Sequence, residues 1–148
     1  MKTKLPTTPL TYLDASVLVT LFTNDPLTVR AETFLRANPL VLIVSDFAAA
    51  EFSSVIARHV RTKDIKKDDA RIVFSNFDTW TARTAQRAHI SPADITAAEV
   101  LLRRIDLALR TPDAINIAMA QRMEATLVTF DKKMAAAARS IGTEIAKA

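Results

Sequence analysis

Residues 111–131 read Thr111-Pro112-Asp113-Ala-Ile-Asn-Ile-Ala-Met-Ala-Gln-Arg-Met-Glu-Ala-Thr-Leu-Val-Thr-Phe-Asp131, an apolar helix running into a short apolar strand. Thr111 in a capping position, Pro112 at the first helical position and Asp113 in the first turn mark a helix start. From Ala114 to Met123 the segment is apolar on nearly every side, which predicts a central, covered helix. Ala125 to Phe130 is short and rich in strand formers, and Asp131 then opens a last helix, Lys132 to Ile141. The chain's single glycine, Gly142, is placed to stop that helix.

The same alternation recurs towards the N-terminus. Leu10 to Leu13 is a buried strand that delivers Asp14 at its carboxyl end, followed by a helix from Ser16 to Thr23. Pro26 begins a second helix, with Leu27, Ala31, Phe34 and Leu35 at helical spacing, that ends near Asn38-Pro39. Leu40 to Val44 reads as a central parallel strand, and Ser45-Asp46 open a long helix. That helix carries Phe47, Glu51 and Val55 on one face and Phe52, Ile56 and Val60 on the next. Lys66 to Arg83 is helical, with Ile72, Val73, Phe77 and Trp80 behind an acidic first turn. Gln86 to Ile90 suggests a short strand, and Ser91-Pro92-Ala-Asp94 caps a helix running to about Arg104. Short apolar strands between helices indicate one α/β domain over residues 1–148, a mostly parallel sheet with helices on both faces. Ligands gather beyond the carboxyl ends of such strands.

Composition narrows the chemistry. Hydrophobic residues are 49% and charged residues 24% of 148, ordinary for a globular domain. The longest aliphatic run, Leu40 to Val44, is far short of the roughly 20 residues that cross a bilayer. Pro9, Tyr12 and Asp14 interrupt any secretory signal in the basic start Met1 to Pro6, so a cytoplasmic protein is expected. Without cysteine there is no disulfide, thiolate nucleophile or Cys-based zinc site. The only histidines, His59 and His89, lie in segments with different roles, which leaves little for a histidine-pair ribonuclease.

The acids are then informative. Asp14 and Asp131 each follow a strand, Asp113 enters at a helix N-terminus, and Glu51 sits on a helix face otherwise suited to burial. Each has an ordinary structural explanation: a helix cap for Asp14 and Asp131, a dipole contact for Asp113, a buried cation for Glu51. Four acids gathered at one sheet edge would repel one another, and a hard divalent ion in an all-oxygen site resolves that repulsion. Asn116 shares the face of Asp113 one helical turn on. With these four of the 16 acids in a pocket, the remaining 12 face 20 basic residues, an excess suited to a polyanion. Arg58 and Arg61, with Lys63, Lys66 and Lys67, form one candidate phosphate track; Arg103, Arg104 and Arg110 form another.

Tyr12-Leu-Asp-Ala-Ser16, Ala48-Ala-Ala-Glu-Phe52, Leu109-Arg-Thr-Pro-Asp-Ala-Ile-Asn-Ile-Ala118 and Leu127-Val-Thr-Phe-Asp-Lys-Lys-Met134 resemble the motifs of PIN-domain nucleases, specifically VapC-type toxins. The resemblance runs from about Leu10 to Ile145, with the motifs in the family's order and spacing. It implies a PIN-like three-layer α/β/α fold and a metal site of Asp14, Glu51, Asp113 and Asp131, with Ser16 and Thr129 beside it. Asn116 stands where relatives often carry histidine. It further implies an Mg²⁺- or Mn²⁺-dependent endoribonuclease, a homodimer, and a small VapB-type antitoxin held in a groove between early helices. Leu21, Phe22, Phe34 and Phe52 are candidates for that groove or for the core. Metal-activated water as nucleophile predicts 5′-phosphate and 3′-hydroxyl ends.

Four other readings compete. A receiver-like domain needs an adjacent acid pair before the first strand, which is missing, and an aspartyl phosphatase needs a second acid where Ser16 stands. A PIN-like protein-binding module and an RNA-processing PIN nuclease outside toxin systems stay open.

Overall fold

The computed structural model describes residues 8–37 and 39–148. The readings of Met1 to Pro6 and of a helix end at Asn38 lie wholly or partly outside those residues. Eleven elements follow in order: β1 (Leu10–Leu13), α1 (Ala15–Phe22), α2 (Thr28–Ala37), β2 (Val41–Ser45), α3 (Asp46–Arg61), α4 (Lys67–Thr84), β3 (Ala85–Ala88), α5 (Pro92–Arg103), α6 (Thr111–Arg122), β4 (Thr126–Val128) and α7 (Lys132–Ser140). The strands pair in the order β3-β2-β1-β4 and every pairing is parallel.

Strand periodicity generates the layers. In β1, β2 and β4, Tyr12, Ile43 and Leu127 face one side and Leu13, Val44 and Val128 the other. The first set packs with Ala98 of α5, Ile117 and Met119 of α6 and Met134 of α7. The second packs with Val17 and Leu18 of α1, Phe52 and Ile56 of α3 and Phe77 of α4. The fold is therefore the three-layer α/β/α arrangement expected from the sequence. Burying a side chain such as Ile43 or Phe52 contributes about 1.5–3 kcal/mol each, so both layers hold the sheet. On the second face Phe22 meets Phe52, Phe77 and Trp80 edge-on, and Phe52 stacks on Phe77 at 4.3 Å. That assigns Phe52 to the core. Residues 113–120 are all buried, so α6 is central as its composition predicts.

Several expected boundaries move for identifiable reasons. Thr111 is the first helical residue of α6 rather than its cap; Arg110 is the cap residue, and its N–H donates to Asp113 at 3.2 Å. Pro26 lies in a turn before α2, where Leu27 N–H donates to the Asp25 carboxylate at 2.8 Å. The strand expected at 86–90 ends at Ala88, because Ile90 N–H goes to Asp46 at 3.0 Å instead of to a neighbouring strand. The strand expected at 125–130 stops at Val128: Phe130 N–H donates to Ser16 Oγ and Asp131 N–H to Thr129 Oγ1, both at 3.0 Å. Ile72 is exposed and does not join the buried stripe of α4. Gly142 follows the last helix at φ +84°, the left-handed position that suits glycine.

Candidate functional site

All four candidate acids come from elements that meet at the carboxyl end of the sheet. Asp14 immediately follows β1 and caps α1, accepting Val17 N–H at 3.3 Å. Ser16 donates to Asp14 Oδ1 and Thr129 to Asp14 Oδ2, each at 2.6 Å. Asp14 is only 5% exposed. Burial pushes its carboxyl above the usual carboxylate range, and the Ser16, Thr129 and Val17 hydrogen bonds offset only part of that rise. The two hydroxyls expected beside the site therefore bind the same carboxylate, one at each oxygen.

Glu51 projects from α3 and is half-buried. Asn116 Nδ2 donates to Glu51 Oε1 at 2.6 Å and to the Pro112 carbonyl at 3.0 Å, fixing the amide between α3 and the start of α6. Burial raises Glu51 as well, and the negative charges of Asp14 and Asp113 add to the rise while Arg110 opposes it. Glu51 thus senses the charges of both Asp14 and Asp113.

Asp131 caps α7, accepting from Lys133 and Met134 N–H through Oδ1. Its other oxygen, Oδ2, lies 3.8 Å from the Arg110 guanidinium, whose Nε is 3.4 Å from Asp113 Oδ2. Arg110 therefore spans two of the four acids. The ordinary structural roles of Asp14, Asp113 and Asp131 at helix starts are real, and all three helix starts lie at the carboxyl end of the parallel sheet.

Tyr12 carries a role that its apolar surroundings hide. Its hydroxyl donates to Asn116 Oδ1 at 2.6 Å and lies 2.7 Å from Ser45 Oγ. Burial pushes the phenol far above its ordinary range, so it stays protonated and orients the amide that holds Glu51. The signal available in sequence was a tyrosine in a strand buried on both faces, whose hydroxyl must find a partner. Arg58 and Arg61 lie on the last turns of α3 and make no contact with these acids among the described residues.

The donor set is all oxygen and partly desolvated, which suits a hard divalent cation. Among the described residues, no three acidic or histidine side chains are arranged closely enough to grip an ion as they stand. A cleft of about 470 Å³, lined by Ser16, Thr20, Asp25, Val55, Phe130 and Asp131, opens beside the acids.

A parallel α/β/α sheet with acids at its carboxyl edge has the layout of an acidic-site α/β domain, in which ligands bind beyond the strand ends. The chain belongs to the PIN domain family, whose sequence profile matches residues 11–140. PIN nucleases as a class use divalent metal ions. In sequence, no curated protein matches significantly. Among solved structures, the sarcin-ricin loop cleaving toxin VapC20 of Mycobacterium tuberculosis superposes with a TM-score of 0.72 at 16% identity, covering 93% of this chain and 99% of that one. VapBC2 of Rickettsia felis, bound to promoter DNA, gives 0.68 at 18% identity over 93% and 97% of the two chains. FitAcB of Neisseria gonorrhoeae gives 0.72 at 13% identity over 93% and 96%. No helix among the described residues is long and apolar enough to cross a membrane.

Proposed function

We propose that this chain is a divalent-metal-dependent endoribonuclease, the toxin of a toxin–antitoxin pair. The observation that carries the reading is Asp14, a buried carboxylate at the end of a central strand that is held only by neutral donors. It sits within electrostatic reach of Glu51 and, through it, of Asp113. Asp14, Glu51, Asp113 and Asp131 would hold Mg²⁺ or Mn²⁺. When bound, such an ion would lower the pKa of water for attack on phosphorus and offset charge on the leaving 3′ oxygen.

The chain's own contribution is positioning. Ser16 and Thr129 fix both oxygens of Asp14, and the Tyr12–Asn116 pair fixes one oxygen of Glu51, so two candidate ligands approach a substrate phosphate pre-oriented. Arg110, anchored on Asp113 and mostly exposed, is free to contact a non-bridging phosphate oxygen as a second positive charge. No protein nucleophile is needed, and the 2′ hydroxyl takes no part, so the products carry 5′-phosphate and 3′-hydroxyl ends.

The toxin assignment draws on the VapC, VapBC and FitAcB neighbours, together with the motifs at residues 12–16, 48–52, 109–118 and 127–134. With it come an RNA substrate, a VapB-type antitoxin partner, a homodimer and a cytoplasmic location. The test is cleavage of labelled total RNA by the purified protein with Mg²⁺ or Mn²⁺, with EDTA, and with Asp14→Asn and Asp113→Asn variants. Discrete cuts that need metal and vanish in both variants are expected. Intact RNA across metals and RNA sources would instead favour a PIN-like protein-binding module.

A further inference from the structure

Beside the acidic edge, on the other side of Phe130, lies a larger cleft of about 740 Å³ between α2, α7 and the chain's last residues. Its charged side chains are all basic, Arg30, Lys132, Arg139 and Lys147, and the terminal group of Ala148, which accepts from Arg30, also lines it. Elsewhere the exposed arginines are often neutralised, as Arg71 is by Asp68, Arg103 by Glu99 and Arg104 by Asp106. Among the described residues, Lys132, Arg139 and Lys147 have no acidic partner. Arg30 donates to the Ala148 carbonyl at 2.6 Å and places its guanidinium 5.7 Å from the centre of the Phe130 ring.

The cleft is continuous with the candidate catalytic edge. Phe130 lines both openings, and Thr129, which lines the basic cleft, is the residue that donates to Asp14. We propose that this basic cleft is the binding track for the single-stranded RNA flanking the scissile phosphate, with Phe130 as the ring on which a base stacks. The inference rests on the ribonuclease reading above and adds the path that the strand follows. Three cations without an acidic partner, Lys132, Arg139 and Lys147, match a phosphate backbone, and an aromatic ring among them matches a base rather than a carboxylate side chain, which separates RNA from an acidic peptide as occupant. The volume accommodates a nucleotide-sized ligand.

The test is fluorescence anisotropy of a fluorescein-labelled oligoadenylate with the full chain in EDTA, titrated at several salt concentrations. Wild-type protein is expected to bind with a steep salt dependence. The double variant Arg139→Ala/Lys147→Ala should bind roughly tenfold more weakly, with the log–log salt slope reduced by about 1.4, at about 0.7 per phosphate contact on a single strand. Phe130→Leu should weaken binding about fivefold or more without changing the slope, and Phe130→Tyr should restore it. A double variant elsewhere, Arg83→Ala/Arg87→Ala, removes the same net charge and should stay within about twofold of wild type. Equal losses in the two double variants would overturn the proposal, as would absence of binding by wild type or equally good competition by oligoglutamate. Binding through the cleft with no cleavage in metal would sink the nuclease reading alone.

Discussion

Two buried aspartates at the starts of helices have opposite electrostatic fates. Asp94, 1% exposed, sits three residues into the start of α5, where it accepts from Arg122 at 2.7 Å and 3.0 Å and from Ser91 N–H at 2.8 Å. Desolvation pushes its carboxyl up, but Arg122 and Ser91 more than reverse this, leaving it below the usual carboxylate range. Asp14, 5% exposed, accepts from two hydroxyls and a backbone N–H and, among the described residues, has no cation in contact; burial wins and the carboxyl rises. A carboxylate that structure alone requires brings its own counter-charge, here the bond that ties α5 to the end of α6. A carboxylate built to receive a charge from outside is left without one.

Substitution separates the two most sharply. Asp94→Asn leaves Arg122 without its carboxylate and should destabilise the fold by about 2 kcal/mol or more, with cleavage per folded molecule unchanged. Asp14→Asn should lower RNA cleavage by at least about a hundredfold while the melting temperature in EDTA hardly falls. Paired thermal melts and cleavage assays check both, and loss of activity without loss of stability in Asp94→Asn would erase the distinction.

The pH dependence of stability should differ in sign. Asp94 is depressed in the folded state, so its contribution is present above the ordinary aspartate pKa and is lost as pH falls through the depressed value. Asp14 is raised, so its contribution is present in acid and is lost as pH rises through the raised value. In EDTA, the melting temperature of Asp94→Asn relative to wild type should therefore improve on acidification. That of Asp14→Asn should improve towards neutral pH. Melting temperatures between about pH 2 and pH 8 test this, and parallel curves would show that the two sites do not differ.

Arg110 tests the boundary between the two kinds of site. Among the described residues it is the one cation paired with the candidate acids, near Asp113 and Asp131, and with most of its guanidinium in water it neutralises them only weakly. Removing it with Arg110→Ala should tighten Mn²⁺ binding about fivefold by calorimetric titration, because one repelling charge is gone. The same change should weaken RNA binding. Weaker Mn²⁺ binding would mean that Arg110 orders the acids instead of competing for them.

The sequence makes this division partly legible. Asp14, Asp113 and Asp131 were readable because each stands at a junction between apolar strand or helix and cap chemistry, and the layers followed from short apolar strands alternating with helices. Asp94 was readable only as a cap: its partner Arg122 lies 28 residues away and belongs to no local pattern. The early end of β4 was equally hidden, since Ser16, distant in sequence, takes the N–H that would have continued the strand. Long-range polar contacts follow from the assembled tertiary fold, and periodicity carries no record of them.

The support of Glu51 is a second boundary case. Tyr12→Phe keeps the ring in the core and removes only the hydroxyl that donates to Asn116 and lies against Ser45. It should cost about 1–3 kcal/mol for the buried groups left unpaired. If the Asn116 amide then loosens its hold on Glu51 Oε1, cleavage should fall roughly tenfold, the usual scale for losing an outer contact of a metal ligand. Asn116→Asp keeps the shape but replaces the donor with a like charge facing Glu51, and should reduce cleavage further than Tyr12→Phe. Metal titrations of both variants decide whether the chain acts through ligand orientation: weakened Mn²⁺ affinity in Tyr12→Phe supports it. A stability loss with unchanged affinity would place Tyr12 with Asp94, among the residues that serve the fold alone.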